Sequence, residues 1–160
     1  MTRILAALVA LWCAACGDLP GTGPRITTSH PELVYAFLRA VDVVGDSLER
    51  DGFNDPAMVL DVTLLDGPVF QDFDDVMGGQ PLWGRNRVVL SGQGVRCEIT
   101  LALRDTWENV LPSRTSLAHE AAHCSLDWMF EPDPQHRYSN VWGVGGAVAR
   151  ANQALESEGL

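Results

Sequence analysis

Residues 86–103, "NRVVLSGQGVRCEITLAL", commit this chain to a sheet. Two β-branched runs flank Ser91, Gly92, Gln93 and Gly94, a turn whose glycines supply the positive φ angles of a tight hairpin. In the second run Val95, Cys97, Ile99, Leu101 and Leu103 alternate with Arg96, Glu98, Thr100 and Ala102. Side chains on a strand point to opposite faces in turn, so one face of this strand is apolar and calls for burial. A second strand is expected over residues 58–67, where "MVLDVTLLDG" runs into the turn Asp66, Gly67, Pro68. Helical spacing supplies the covering layer. Leu33, Val34, Phe37, Leu38, Val41, Val44 and Leu48 recur on one face between Pro31 and Gly52. A second helix is expected over residues 112–130, ended by Pro132, and a last one over residues 144–156. Residues 69–83, acidic and containing glycine, read as an irregular loop. The expectation is an α+β domain with a small, mostly antiparallel sheet and N- and C-terminal helices.

With 160 residues and 46% hydrophobic content the chain is sized for one globular domain. Its formal net charge of −10 speaks against nucleic acid as the main partner, since that interface calls for a basic patch. The N-terminus stands apart. Arg3 precedes an apolar run over residues 4–15, followed by small residues and Cys16, in the layout of a secretory signal too short to span a bilayer. Ala14, Ala15, Cys16 and Gly17 resemble a bacterial lipobox, with Cys13 where an aliphatic residue usually stands; a plain secretory signal is the alternative. The resemblance implies removal of residues 1–15, lipidation of Cys16, and a membrane anchor at the bacterial cell envelope, on an outer-membrane or periplasmic face. Residues 16–30, rich in Gly, Pro and Thr, then read as the anchor and a tether, and residues 31–160 as the domain. Export leaves Cys97 and Cys124 as a pair for a disulfide in an oxidising compartment, with two unpaired buried cysteines as the alternative.

The chemistry gathers in "SLAHEAAHC". On a helix His119 and His123 lie one turn apart on one face, their Cβ atoms about 5–6 Å apart. Two such imidazoles can share a zinc ion at roughly 2.0–2.1 Å each. Glu120 is rotated by about 100° from His119, so its carboxylate stands beside the ion and can act as a base toward a metal-bound water. A catalytic zinc site takes three protein ligands and an open position. His136 is the best-placed third: the helix carries the chain about 10 Å beyond His123, and six extended residues return up to about 20 Å. Pro132 and Pro134 stiffen that return. Asp127 is a weaker ligand and a better hydrogen-bond acceptor for a ligand imidazole. Glu131 and Asp133 flank the turn and stay open as ligands. Glu156 is the choice under a pattern of two histidines and a distant glutamate. Asp72, Asp74 and Asp75 lack the spacing of a calcium loop and read as solvated surface.

The stretch "TSLAHEAAHCSLDWMFEPDPQHRYSNVW" resembles the zincin metallopeptidases, and among them small bacterial lipoproteins carrying HExxH followed by a DPxH turn. The likeness covers about thirty residues around the motif plus the signal layout. Leu126 and Met129 stand where the longer metzincin motif has its glycine and third ligand, so that pattern is absent. The resemblance implies a zincin-like fold, one Zn2+ held by His119, His123 and His136, Glu120 as general base, and a peptide or protein substrate. Tyr138 would then be a hydrogen-bond donor to the oxyanion. A bond between Cys124 and Cys97 would lock the helix onto the preceding strand. A non-catalytic zinc-binding lipoprotein, or a structural zinc closed by Asp127 or Glu131, are the rival readings.

Overall fold

The computed structural model describes residues 23–53, 58–66, 69–70, 81–82, 84–91, 94–103, 110–129 and 131–160. The expected signal segment, Cys16, the hairpin residues Gly92 and Gln93, and the acidic cluster Asp72, Asp74 and Asp75 lie outside these residues. In chain order the elements are β1 (Arg25–Thr27), a 3-10 turn (Pro31–Leu33), α1 (Val34–Arg50), β2 (Met58–Asp66), β3 (Val69–Phe70) and β4 (Pro81–Leu82). There follow β5 (Gly84–Ser91), β6 (Gly94–Leu103), α2 (Val110–Trp128), α3 (Ser139–Trp142) and α4 (Ala147–Ser157).

Period-two burial is realised in β2, where Met58, Leu60, Val62 and Leu64 are buried and the residues between them are not. Val95, Cys97, Ile99 and Leu101 on β6 lie in register with them and are buried too, as is Arg96 on the other face, while Glu98 and Thr100 are half-buried. These two rows form the apolar floor under α1, α2 and α4, whose Phe37, Val44, Leu48, Leu117, Ala121, Ala122 and Leu155 complete the core. Helix α1 ends as its sequence dictates. Gly52 takes φ 76°, its N–H donates to the Glu49 carbonyl at 2.9 Å, and the Phe53 N–H donates to the Leu48 carbonyl at 2.8 Å. That is a left-handed glycine cap.

The expected mostly antiparallel sheet is corrected to a mixed one. Its order is β1-β2-β6-β5, with β1, β2 and β6 parallel and only β5 antiparallel to β6. Alternation tells which residues share a face but not which strand is the neighbour. The second hairpin strand takes the centre because it is the more apolar, while β5 exposes Arg85, Arg87 and Leu90 and suits an edge. Residues 25–27, within the stretch expected as a tether, form the opposite edge. Arg96 on the far face of β6 makes a two-pronged ion pair with Asp61 and donates to the Gly23 carbonyl at 3.1 Å, while Asp61 accepts the Arg25 N–H at 3.0 Å. Two further corrections are local. The expected loop at residues 69–83 contains the short antiparallel pair of β3 and β4. The last helix starts at Ala147, not 144, because Gly145 sits at φ 75° in a turn just before it.

Cys97 and Cys124 form a disulfide with a sequence separation of 27, tying the centre of β6 to α2. Both residues are fully buried. By loop-closure entropy such a link stabilises the fold by about 3–4 kcal/mol. The Cys97→Ala/Cys124→Ala double variant is expected to lose that much, measured by urea denaturation of oxidised wild type against the variant.

Candidate metal centre

Helix α2 is buried on most of its circumference: Leu117, Ala118, Ala121, Ala122 and Cys124 are inaccessible or nearly so. The alanines let the backbone approach the sheet, and the exposed remainder of the helix carries His119 and His123 on one stripe. Their ring centroids are 4.8 Å apart. Burial, and then the neighbouring imidazole of His136, lowers His119; burial, then His119 and His136, brings His123 down to about 4. Both rings are therefore neutral near pH 7, the form in which imidazole binds metal.

Beyond α2 the chain turns back. The Glu131 N–H donates to the Leu126 carbonyl at 2.9 Å, and the His136 N–H donates to the Asp133 carbonyl at 3.2 Å. His136 sits at φ 54°, a left-handed conformation uncommon outside glycine that other contacts must hold. Its ring reaches the helix stripe, with centroids 4.8 Å from His119 and 5.0 Å from His123, and Nε2 lies 3.0 Å from Nε2 of His123. The three side chains can each offer a ring nitrogen to a metal ion, and no two of those nitrogens are more than 4.8 Å apart. Nitrogens sharing one tetrahedral zinc lie about 3.4 Å apart, so a small side-chain rotation brings the set to bonding distance.

Asp133 holds the turn together. Its side chain is inaccessible; Oδ2 accepts the Tyr138 N–H at 2.8 Å and the Trp142 indole N–H at 3.0 Å, and Oδ1 faces Arg137 Nε at 3.4 Å. Trp142, so anchored, stands 4.4–5.0 Å from all three imidazole centroids. Burial alone would raise the Asp133 carboxyl; the N–H groups of Arg137, Tyr138 and Trp142 with the Arg137 guanidinium outweigh it and hold it at about 2. A carboxylate whose folded value lies below its unfolded one stabilises the protein above about pH 4, and that contribution is lost as pH falls from about 4 to 2. In melting curves of metal-free protein, Asp133→Asn is expected to be less stable than wild type at pH 7, with the gap closing between pH 4 and 2.

Glu120 points to the sheet edge. It is 8% exposed, and its Oε2 accepts the Asn86 amide N–H at 2.7 Å from strand β5. Burial raises its carboxyl and the Asn86 hydrogen bond lowers it in part. Gly84, on the same strand, is needed for this approach: a Cβ there would meet Glu120 Cγ and Oε1 at 2.9 Å.

Other expected participants are not brought in. Asp127 is exposed and makes no hydrogen bond to an imidazole, because every four residues drift about 40° around a helix. The buried outer carboxylate is Asp133, which acts on the turn and not as a ligand. Glu131 and Glu156 are exposed and lie outside the histidine cluster. Tyr138 is 37% exposed, and its backbone N–H donates to Asp133. The fourth histidine, His30, is not an expected participant; it precedes the 3-10 turn and pairs with Asp66 at 2.7 Å. Asn86, Gly84 and Trp142 carry no signal in the sequence that marks them as site residues. The chain matches no protein-family model, and comparison with curated proteins and with solved structures gives no match either.

Proposed function

We propose that this protein is a zinc-dependent hydrolase acting on peptide bonds, with His119, His123 and His136 as the metal ligands and Glu120 as general base. The observation that carries the reading is the convergence of three imidazole nitrogens within 4.8 Å of one another beside a buried glutamate. Neutral nitrogen donors suit zinc among the common divalent ions. Among the described residues no fourth acidic, cysteine or histidine ligand joins the cluster, which supports an open catalytic position over a closed structural one.

Bound zinc supplies a polarised carbonyl and a water acidified to a pKa of about 7. Glu120 would be the group that accepts a proton from the attacking water and returns it to the departing amine. The raised carboxyl suits both halves of the transfer, and the Asn86 hydrogen bond fixes which oxygen is free. Strand β5 ends the sheet beside Glu120, and its outer edge has no strand neighbour among the described residues. An extended peptide added there would lie beside Glu120, which Asn86 of this strand hydrogen-bonds. Lipidation of Cys16 would place this activity at the surface of the bacterial cell envelope.

Stripping the full chain with a chelator is expected to abolish peptide hydrolysis, and one equivalent of Zn2+ to restore it, followed with a quenched fluorogenic peptide mixture. Stoichiometric zinc binding with no hydrolysis of any peptide would instead assign the chain as a zinc-binding lipoprotein.

A further inference from the structure

A cavity of about 440 Å3 opens between α2, the start of β5 and α4. One wall is His119 and Glu120, so whatever fills it lies against the candidate metal ligand and base; the opposite wall is Val148 and Asn152, one turn apart on α4. Gly84, Thr115 and Ser116 are the other described residues of its lining.

Two features give the occupant a chemical class. Among the described residues of the lining Glu120 is the only acidic group, and none is a lysine or arginine. An anionic side chain would meet the Glu120 carboxylate, and a cationic one would pair with it and occupy the base. A neutral occupant remains. Among the described residues, Asn152 Oδ1 is the one buried side-chain oxygen or nitrogen without a hydrogen-bond partner. Buried polar atoms in native proteins find partners, and one that does not calls for an explanation. No bond from Oδ1 fixes the amide, and half a turn about its terminal torsion exchanges carbonyl and NH2, so Asn152 can offer a donor or an acceptor to the cavity. The volume excludes no natural side chain by size, which leaves polarity to select.

Resting on the hydrolase reading above, we propose that this cavity receives an uncharged, hydrogen-bonding side chain of the peptide being cut, that of serine, threonine, asparagine or glutamine, and that Asn152 reads it. A site built to hydrogen-bond such a group discriminates strongly against an apolar one, because its own polar atoms are then left unpaired.

The test uses the full chain loaded with zinc and a peptide set varied at the positions flanking the scissile bond, with products identified by mass spectrometry. Wild type is expected to favour neutral polar over aliphatic side chains at one of these positions. Asn152→Leu, of similar size, is expected to lower that ratio of kcat/KM values at least about tenfold, with zinc content unchanged. The metal-free variant is expected to melt at or above the wild-type temperature, since a buried carbonyl with no donor is replaced by methyl groups. An active Asn152→Leu enzyme with unaltered preference, or one melting several degrees lower, would overturn the assignment and make Asn152 structural. Wild type that binds zinc and cuts no peptide would overturn the hydrolase reading itself, and this inference with it.

Discussion

Glu120→Gln is expected to lower peptide hydrolysis by about 10²–10⁴-fold while the bound zinc stays at the wild-type level. The separation of the two readouts follows from geometry. Glu120 faces the sheet edge and the cavity, and it is not among the three residues whose nitrogens converge. Glutamine keeps the shape that Gly84 accommodates, and its carbonyl oxygen can still accept the Asn86 N–H, so the fold has no reason to change. What glutamine lacks is an oxygen that can hold a proton. Thermal melting of the variant should therefore match wild type within a degree or two, and metal analysis should return the same stoichiometry. A loss of turnover accompanied by loss of zinc would instead place Glu120 among the ligands. Unchanged turnover would remove the general base from the mechanism and leave the protein without a catalytic group at its centre.

The parts of this site that the sequence discloses are those that neighbours along the chain create. A spacing of four on a helix puts His119 and His123 together whatever else the chain does, and Pro132 and Pro134 bring His136 back within a reach set by chain geometry alone. The strands were legible for the same reason: burial on one face imposes a period of two on β2 and β6. Sheet order was not, because it depends on which of two hairpin strands is the better central partner for β2, a comparison between segments far apart. Asn86 meets Glu120 across a separation of 34 residues, and nothing local to either distinguishes that asparagine from one on any exposed strand. Trp142 lies on a helix of four residues, too short for periodicity to register, and it reaches the imidazoles only because the buried Asp133 accepts its indole N–H. Asp133 itself was visible as a neighbour of the turn. Its role reversed once the structure showed its oxygens turned toward Tyr138 and Trp142.

His136→Ala is expected to weaken zinc binding by more than about 100-fold, the upper end of what the loss of an outer hydrogen-bonding partner costs. Two imidazoles on one helix remain, and two donors with two water molecules hold zinc far less firmly than three donors with one. The third donor is also the one that the fold works hardest to place. His136 keeps φ 54° only while Asp133 holds the turn through Tyr138 and Trp142, and none of those bonds involves the His136 side chain. Removing the ring thus leaves the turn intact, and the metal-free variant should melt close to wild type. Asp127→Ala and Glu156→Ala, at exposed positions outside the cluster, are expected to bind zinc as wild type does, so competition titration against a chromophoric chelator separates the three substitutions directly. Asp133→Asn should fall between them: its donors keep their places less firmly, the ring of His136 is still present, and zinc affinity is expected to drop about 10–100-fold. That ordering, ligand first, turn-holding carboxylate second and exposed acids last, is what a metal gripped by one helix and one braced turn requires.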